Sequence, residues 1–393
     1  MAPALVLRGG QVWDGLSSGP RPADVVCEDG LVRELVAPGT ARTGREDLAV
    51  DVDGCAVLPG LVDAHVHLVW DGSTDPVAHV AEDGEQLTTV RAAEYARRYL
   101  PAGITTVRDL GGNWDVAITV ARAVDRGHLD GPTIVAAGQT VIMTGGHDPF
   151  WGVPCDGPDA VVRGVRGQVA KGAGVIKTAA TGGVYGQAHG EEVGASELTY
   201  EELAALAGEA HRRGRRVAAH ALGEDGVRNA VRAGIDTIEH GVFLAEDVVA
   251  DMVRQGTVLC PTVEVYRRMA GGAAPGYAVQ KAREVVQAHR RSVAMAVAAG
   301  VPVIAGTDAG APGMAHPSLV DEITALQDYG LSPLQALRAA TSAAADALGL
   351  PATGRIRPGS PADLLLVDGD PFSDPALLRR PWGVVRRAQL RRN

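Results

Sequence analysis

Between residues 57 and 351, short runs rich in Val, Ile and Ala alternate with longer stretches in which apolar positions recur at helical spacing. The short runs predict eight strands, at 57–64, 103–108, 133–137, 174–179, 216–220, 235–239, 257–262 and 301–306. The longer stretches predict helices, among them 200–213, 225–233, 244–255, 280–299 and 316–329. Eight strands that alternate with helices favour an α/β fold with a closed (β/α)8 barrel, the TIM-barrel architecture, over an open sheet.

The two ends of the chain follow a different pattern. Residues 3–56 and 352–386 contain short alternating runs separated by turn residues, which is typical of β-strands. We expect one small composite β-sandwich domain from residues 1–56 and 352–393, beside a barrel domain at 57–351. The basic residues 386–393 lack a glycine that would close a turn, so we expect a solvated tail there.

Composition excludes several classes of protein. The formal charge of −10 argues against nucleic acid and anionic membranes as partners. We find neither an apolar run of about 18 residues nor an apolar segment behind a basic start, and we therefore expect no membrane span and no signal peptide. The four cysteines are scattered without a C-x-x-C motif, which predicts reduced thiols in a cytoplasmic protein.

Candidate chemistry lies where the predicted strands end, because a barrel enzyme carries its reactive groups at the C-terminal ends of its strands. The first strand ends in His65 and His67, which point the same way because a strand alternates its faces. The other polar residues at strand ends are Lys177, His220, His240 and Asp308. Imidazole is the commonest neutral metal ligand. Each residue alone also fits a structural role, as a hydrogen-bonded core histidine or a helix-capping aspartate.

Lys177 is the least easily explained of these residues. It is one of three lysines in the chain, and its neighbours are apolar. Burial of a free ammonium is costly. A neutral lysine amine can add carbon dioxide and become a carbamate, an anion able to bridge two cations. Four histidines, one bridging anion and one aspartate suit a hydrolytic site with two metal ions.

The chain resembles the metal-dependent amidohydrolase superfamily, which includes dihydroorotase, phosphotriesterase and imidazolonepropionase. The motifs that carry the resemblance are residues 59–67, 103–109, Lys177, His220, 238–241, 306–310 and 358–363. Residues 143–147 and 181–184 resemble the branch of Xaa-Pro and Xaa-basic dipeptidases, ochratoxinase and related amidases. The resemblance therefore covers nearly the whole chain.

The resemblance implies a ligand set and a mechanism. His65, His67 and Asp308 would hold the more buried metal ion. His220 and His240 would hold the more exposed one. Carboxylated Lys177 would bridge the two ions together with a hydroxide. Zinc is the favoured ion, with manganese and iron as alternatives. Asp308 would accept the proton of the attacking hydroxide and pass it to the leaving amine.

Three loop residues are candidates for binding the substrate. His147 follows the third strand and could donate to a substrate carbonyl or carboxylate, although it could also be an ordinary loop histidine. Tyr185 lies on a glycine-rich loop after Lys177, and His189 is a weaker candidate on the same loop. Arg108 ends the second strand and could bind an anion, although we favour an ion pair with the neighbouring aspartate that braces the barrel.

Two departures from the dipeptidase pattern concern specificity. Dipeptidase-like relatives often carry a tyrosine shortly after the sixth-strand His-Gly pair, where this chain has Phe243. Phe243 cannot donate a hydrogen bond to a substrate carbonyl, but we expect it to be among the residues that bind the substrate. The loop after the third strand contains Phe150 and Trp151, which predict an apolar or aromatic wall.

The favoured function is hydrolysis of an amide or peptide bond in an N-acyl amino acid, a dipeptide or a related small amide. The same metal centre permits hydrolysis of a cyclic amide, a lactone or an ester. A catalytically inactive scaffold is a remote alternative, because the metal-ligand set is complete. The expected partner is a small-molecule substrate, and by analogy we expect a homo-oligomer.

Overall fold

The structure is a computed structural model that describes residues 3–186 and 191–392. In this part of the chain the strands form three sheets, one from both ends of the chain and two from its middle. The strands of the terminal sheet are β1 Leu5–Val12, β2 Arg21–Glu28, β3 Leu31–Val36, β4 Leu48–Asp51, β5 Cys55–Pro59, β15 Leu364–Asp368, β16 Gly383–Arg386 and β17 Gln389–Arg392. The central strands are β6 Leu61–Val66, β7 Ile104–Asp109, β8 Thr133–Ala136, β9 Val141–Ile142, β10 Val153–Pro154, β11 Val175–Ala179, β12 Arg216–Ala221, β13 Thr237–His240 and β14 Val258–Cys260.

Helices pack around the central strands. They are α1 Pro76–Tyr99, α2 Val116–Asp125, α3 Pro158–Lys171, α4 Tyr200–Arg212, α5 Glu224–Arg232, α6 Glu246–Gln255, α7 Val263–Ala270, α8 Gly276–Ala299, α9 Leu319–Asp328, α10 Pro333–Ala339 and α11 Ser342–Ala347, with a 3-10 helix at Pro375–Arg379. Local sequence explains where several begin. Thr199 caps α4 by accepting from the Glu202 amide, and the Glu202 carboxylate accepts from the Thr199 amide in return. In residues 3–186 and 191–392, no helix is long and apolar enough to cross a membrane.

The central strands are parallel and carry the ends that build the site. Their order is β6-β7-β8 in one sheet and β10-β9-β11-β12-β13-β14 in the other. Strands β6, β7, β11 and β13 are buried at every residue, which explains why they read as continuous apolar runs. Seven of the eight predicted strand positions contain a strand within a few residues of the predicted bounds.

The predicted strand 57–64 is divided at Gly60. Its first part belongs to β5, which pairs with β1 and β15 in the terminal sheet, and its second part is β6. A Cβ on Gly60 would lie 2.3 Å from the Thr105 hydroxyl oxygen, so only glycine fits at this passage between sheets. The prediction of one continuous strand here was wrong because an apolar run does not show which sheet each part joins.

The predicted eighth strand, 301–306, is not a regular strand. Residues 301–309 lie between β14 and β6 and reach both through backbone hydrogen bonds. The Leu259 amide donates to Pro302, and the Ala64 amide donates to Ala305, each over 2.9 Å. The pairing is reduced to isolated bridges at Val303 and Ala309. Pro302 has no amide donor, which limits the ladder that this segment can form.

The terminal sheet joins both ends of the chain, as expected. Strand β5 pairs with β15 from Leu364↔Pro59 to Asp368↔Cys55, so the last strands continue a sheet begun by the first. All eight strands from the two ends of the chain belong to one sheet. Two features stay predictions: a sandwich of two layers, and the division into one domain of residues 1–56 and 352–393 and another of residues 57–351.

The C-terminal residues form a hairpin and not the solvated tail predicted above. Strands β16 and β17 pair antiparallel across a turn at Arg387 and Ala388, whose φ angles are 49° and 63°. Arg386 is buried and forms an ion pair with Asp363. The prediction was wrong because two non-glycine residues adopt the left-handed conformation that such a turn needs, a conformation usually signalled by glycine or asparagine.

Candidate metal centre

His65 and His67 lie at the end of β6 and face the same cavity. Both are buried, and their Nε2 atoms are 3.3 Å apart. The opposite ring nitrogens have partners: His65 Nδ1 donates to Glu239 over 2.9 Å, and His67 Nδ1 donates to the Gly111 carbonyl over 2.8 Å. These bonds leave each Nε2 lone pair available to a ligand in the cavity.

Asp308 reaches the same point from the segment beside β6. Its amide donates to the His65 carbonyl over 2.8 Å, and its φ of 60° turns the backbone there. Its carboxylate oxygen lies 3.2 Å from His67 Nε2 and 3.6 Å from His65 Nε2. Buried Asp63 holds the preceding residue by accepting from the amide and the hydroxyl of Thr307.

His220 and His240 come from the neighbouring strands β12 and β13. The strand register pairs Ala221 with His240, and the two imidazole centroids are 4.6 Å apart. His240 Nδ1 is hydrogen-bonded to the Thr262 hydroxyl over 2.7 Å. His220 Nε2 is buried and has no hydrogen-bond partner among the described residues.

Lys177 lies within β11 and is 2% exposed. Burial lowers the pKa of its amine. Its side chain lines the same cavity as the four histidines and Asp308, whose further lining includes Trp70, His147, Asp148, Val184, Tyr185, Tyr266, Met269 and Ala311. The structure thus brings together all six side chains for which the sequence suggests metal binding.

The arrangement fits metal ions. The ligand atoms of His65, His240 and Asp308 lie within 4.8 Å of one another. The His65 and His67 Nε2 lone pairs and the Asp308 oxygen would repel one another at their separations of 3.2–3.6 Å unless a proton or a cation lies between them. The cavity of about 40 Å³ has room for small ions and water. Nitrogen and oxygen donors of this kind suit zinc and related divalent ions.

Most of the titratable groups are shifted toward the forms that bind metal. Burial lowers the pKa of His65 to about 4, with the Lys177 charge acting in the same direction. His67 is the exception: burial lowers its pKa, but the Asp308 carboxylate outweighs burial and raises it. Burial also holds the pKa values of His220 and His240 well below their ordinary value. For Asp308, burial raises the pKa, but the charges of the nearby histidines outweigh it and the pKa falls below its ordinary value. Neutral imidazoles and an ionised carboxylate are the ligating forms.

His147 lies at the cavity wall within a group of carboxylates. Its Nδ1 donates to Glu191 over 2.7 Å, and its Nε2 is 3.4 Å from Asp148. Burial lowers the pKa of His147, but these carboxylates outweigh burial and raise it to about 9. Its ring stacks on His220 with centroids 3.9 Å apart. The carboxylates therefore favour the protonated form of this imidazole beside the candidate metal ligands.

Aromatic side chains gather on one side of the cavity. Trp70 contacts Trp151 with ring centroids 4.3 Å apart, and Phe150 lies 4.8 Å from Trp151. Tyr185 lies edge-on to Trp70 at 5.5 Å, and its hydroxyl donates to Asp75 over 3.0 Å. Aromatic residues make up 4% of the chain, so this group is a marked local concentration.

One further candidate, Phe243, does not line the described cavity, and another, His189, cannot be placed. Phe243 is 36% exposed and is not part of the described lining, and its ring lies beside Gly194. Its predicted substrate contact is therefore not made by this arrangement. His189 lies outside the described residues.

Arg108 braces the centre, although not with the partner expected. It is fully buried and donates to Glu239 over 2.8 Å, to Thr237 over 2.9 Å and to the Ala64 carbonyl over 2.6 Å. The neighbouring Asp109 instead accepts from the Leu68 and Gly111 amides. The predicted pairing of Arg108 with Asp109 was wrong because successive residues of a strand point to opposite faces.

Comparison with known proteins agrees with this geometry. The sequence pattern of the Amidohydrolase family matches residues 56–387. The chain belongs to the amidohydrolase family. An uncharacterised protein of Mycobacterium tuberculosis is 33% identical over 346 residues, which cover 86% of this chain and 85% of that protein. Ochratoxinase from Aspergillus niger is 29% identical over 365 residues, which cover 84% of this chain and 73% of ochratoxinase.

Solved structures extend the likeness to the fold. The crystal structure of a Xaa-Pro dipeptidase with bound methionine in the active site is 29% identical, with a TM-score of 0.92 over 99% of this chain and 100% of that one. These findings confirm the predicted superfamily and branch. As a member of this family, the chain is a hydrolase that acts on C–N bonds.

Two residues of the candidate site were not predicted from the sequence. Glu239 is fully buried and orients His65, and the signal for it was an acidic residue inside an apolar strand, where burial needs a partner. Tyr266 lies one turn into α7 and is 3% exposed in the cavity lining. No strand-end rule points to a residue at that position.

Proposed function

We propose that the chain is a binuclear metal-dependent amidohydrolase that cleaves an amide or peptide bond in a small molecule with an apolar or aromatic part. The observation that carries the proposal is the convergence of six potential ligands on one cavity. They are His65, His67, Lys177, His220, His240 and Asp308. This donor set suits a two-metal hydrolytic site.

The division of the ligands between two ions is the one that the resemblance to the superfamily implies. His65, His67 and Asp308 would hold the more buried ion, and His220 and His240 the more exposed one. Lys177, carboxylated on Nζ, would bridge them through its carbamate oxygens. Zinc is the ion that we favour. Metal ions in such a site lower the pKa of water and polarise a carbonyl group.

The chain's own residues would move the proton and hold the substrate. The Asp308 carboxylate would accept a proton from the attacking water and deliver it to the leaving nitrogen. Protonated His147 would donate to a substrate oxygen from the cavity wall. Glu239 and the Gly111 carbonyl keep the rings of His65 and His67 in one orientation and one tautomer.

The aromatic group supports an apolar substrate. Trp70 and Tyr185 line the cavity, and Phe150 and Trp151 pack against Trp70. Flat aromatic side chains favour contact with apolar or aromatic groups. The relatives named ochratoxinase and Xaa-Pro dipeptidase support an amide or peptide bond as the point of cleavage.

The fold proposals follow from the same contacts. Because residues 301–309 are hydrogen-bonded to both β14 and β6, we favour a (β/α)8 barrel closed by this segment. Strand β1 pairs with β4 along one half and with β5 along the other, which supports a terminal sheet folded into a sandwich. The expected homo-oligomer stays a prediction.

A substrate panel tests the function. It contains dipeptides, N-acyl amino acids with aromatic and with short acyl groups, cyclic amides, lactones and esters. We expect turnover of linear amides, and faster turnover where an aromatic group is present. Preference for lactones or cyclic amides would instead support the alternative reaction on the same centre.

Variants at one carboxylate make the test specific. Asp308→Asn should abolish turnover while most of the metal remains, and Asp125→Asn at the exposed end of α2 should change neither. Full activity in Asp308→Asn would contradict the proton-carrying role.

A further inference from the structure

Two tyrosines line the cavity, and their hydroxyl groups differ in one respect. The Tyr185 hydroxyl is committed to Asp75 through a hydrogen bond of 3.0 Å. The Tyr266 hydroxyl has no hydrogen-bond partner among residues 3–186 and 191–392, and Tyr266, which is 3% exposed, lines the cavity. Such a group in a cavity is suited to a partner that arrives with the substrate.

Tyr266 is also held rigidly against the candidate metal ligands. Its ring lies edge-on to His240, with centroids 5.5 Å apart at 67°, and edge-on to His289, with centroids 5.4 Å apart at 89°. These contacts fix the ring from two sides. The phenol is therefore placed before any substrate binds.

The start of α7 ties this position to the centre. The Thr262 hydroxyl, next to the helix, is hydrogen-bonded to His240 Nδ1 over 2.7 Å. Buried Glu322 on α9 accepts from the Val263 and Glu264 amides over 2.8 and 2.9 Å and so holds the first turn of α7. Tyr266 follows within that turn, so its place relative to His240 is built into the backbone.

We propose that the Tyr266 hydroxyl donates a hydrogen bond to the carbonyl oxygen of the scissile amide and stabilises the negative charge that develops there. The role rests on the proposed amide hydrolysis. When the water oxygen bonds to the carbonyl carbon, the carbonyl π electrons move to the oxygen, which becomes a stronger acceptor. Tyr266 keeps its proton and contributes a fixed donor, so its bond is stronger in the transition state than in the ground state.

The variant Tyr266→Phe tests the role, because it removes the hydroxyl and keeps the ring packing. We expect kcat to fall about 10²–10³-fold, as is typical for loss of one such donor, with little change in KM. Metal content and thermal unfolding should match the wild type. The matched control is Tyr329→Phe, a buried tyrosine that also contacts His289 but lies outside the described cavity lining.

Binding provides a readout besides activity. The probes are a phenylmethylphosphonamidate, whose tetrahedral phosphorus replaces the scissile carbonyl carbon, and the free product amine, both measured by calorimetry. We expect Tyr266→Phe to weaken the phosphonamidate by a factor similar to the loss in kcat and to leave the amine unaffected. Equal weakening of both probes would overturn the role, as would loss of metal or of the fold, since either makes Tyr266 structural.

The two proposals fail in different ways. If the turnover of Tyr266→Phe stays within about threefold of the wild-type value, the role of the tyrosine alone is overturned. A wild-type protein that neither hydrolyses an amide nor binds the phosphonamidate overturns the proposed function, and the role of Tyr266 with it.

Discussion

Replacement of Arg108 by methionine should destabilise the protein strongly, because it isolates a buried charge. Arg108 and Glu239 are 1% and 0% exposed and form an ion pair of 2.8 Å. Removal of one partner of a buried pair typically costs about 3–5 kcal/mol, since the other charge stays buried without a counter-ion. Arg108→Met also leaves the Ala64 carbonyl without its donor. Against a usual total of about 5–15 kcal/mol, this is a large loss.

The assay is urea unfolding of chelated protein, so that bound ions do not add to the measured stability. Fluorescence and circular dichroism transitions must coincide for the free energies to be compared. The control Arg98→Met removes a half-exposed pair with Glu94 and should change stability by less than about 0.5 kcal/mol. The double variant with Glu239→Met should regain part of the loss. A loss below about 1 kcal/mol in Arg108→Met, or no recovery in the double variant, would refute the reasoning.

Three further outcomes test other parts of the structure. All four cysteines are buried, and burial raises the pKa of Cys27 to about 12. A chromogenic disulfide reagent at about pH 8 should therefore label fewer than about one thiol per chain in the native protein and all four after denaturation. Gly306→Ala should lower the free energy of unfolding in urea and the metal content, because its Cβ would lie 2.7 Å from the His65 Cβ. In contrast, Gly167→Ala at an exposed position of α3 should raise the free energy of unfolding by about 0.5–1 kcal/mol in the same urea assay. Ala388→Gly should raise the urea midpoint, by about 0.5–1 kcal/mol in free energy, because glycine relieves the φ of 63°; a lower midpoint would argue against the C-terminal hairpin.

The part of the site that lies at strand ends could be predicted from sequence. Parallel strands meet at one edge, and the two-residue spacing of His65 and His67 places both on one face. His220, His240 and Lys177 follow from the same rule. Their convergence on one cavity is what makes the strand-end pattern informative.

Other features depend on tertiary contacts that leave no local signal. Tyr266 reaches the cavity from inside a helix, so neither strand periodicity nor motif spacing marks it. Phe243 falls outside the described lining, and its ring lies beside Gly194 from a distant part of the chain. The hairpin turn at Arg387 and Ala388 uses left-handed residues that sequence preference does not favour.

The central claim is a bridged pair of metal ions, and elemental analysis of the purified protein beside Lys177→Ala tests it most directly. Because Lys177 is buried in the wall of the cavity, its loss removes the bridge without exposing another group at the surface. The account predicts about two transition-metal ions per chain in the wild type, largely lost in the variant. One ion per chain that the variant retains, or none after metal-replete expression, would contradict it.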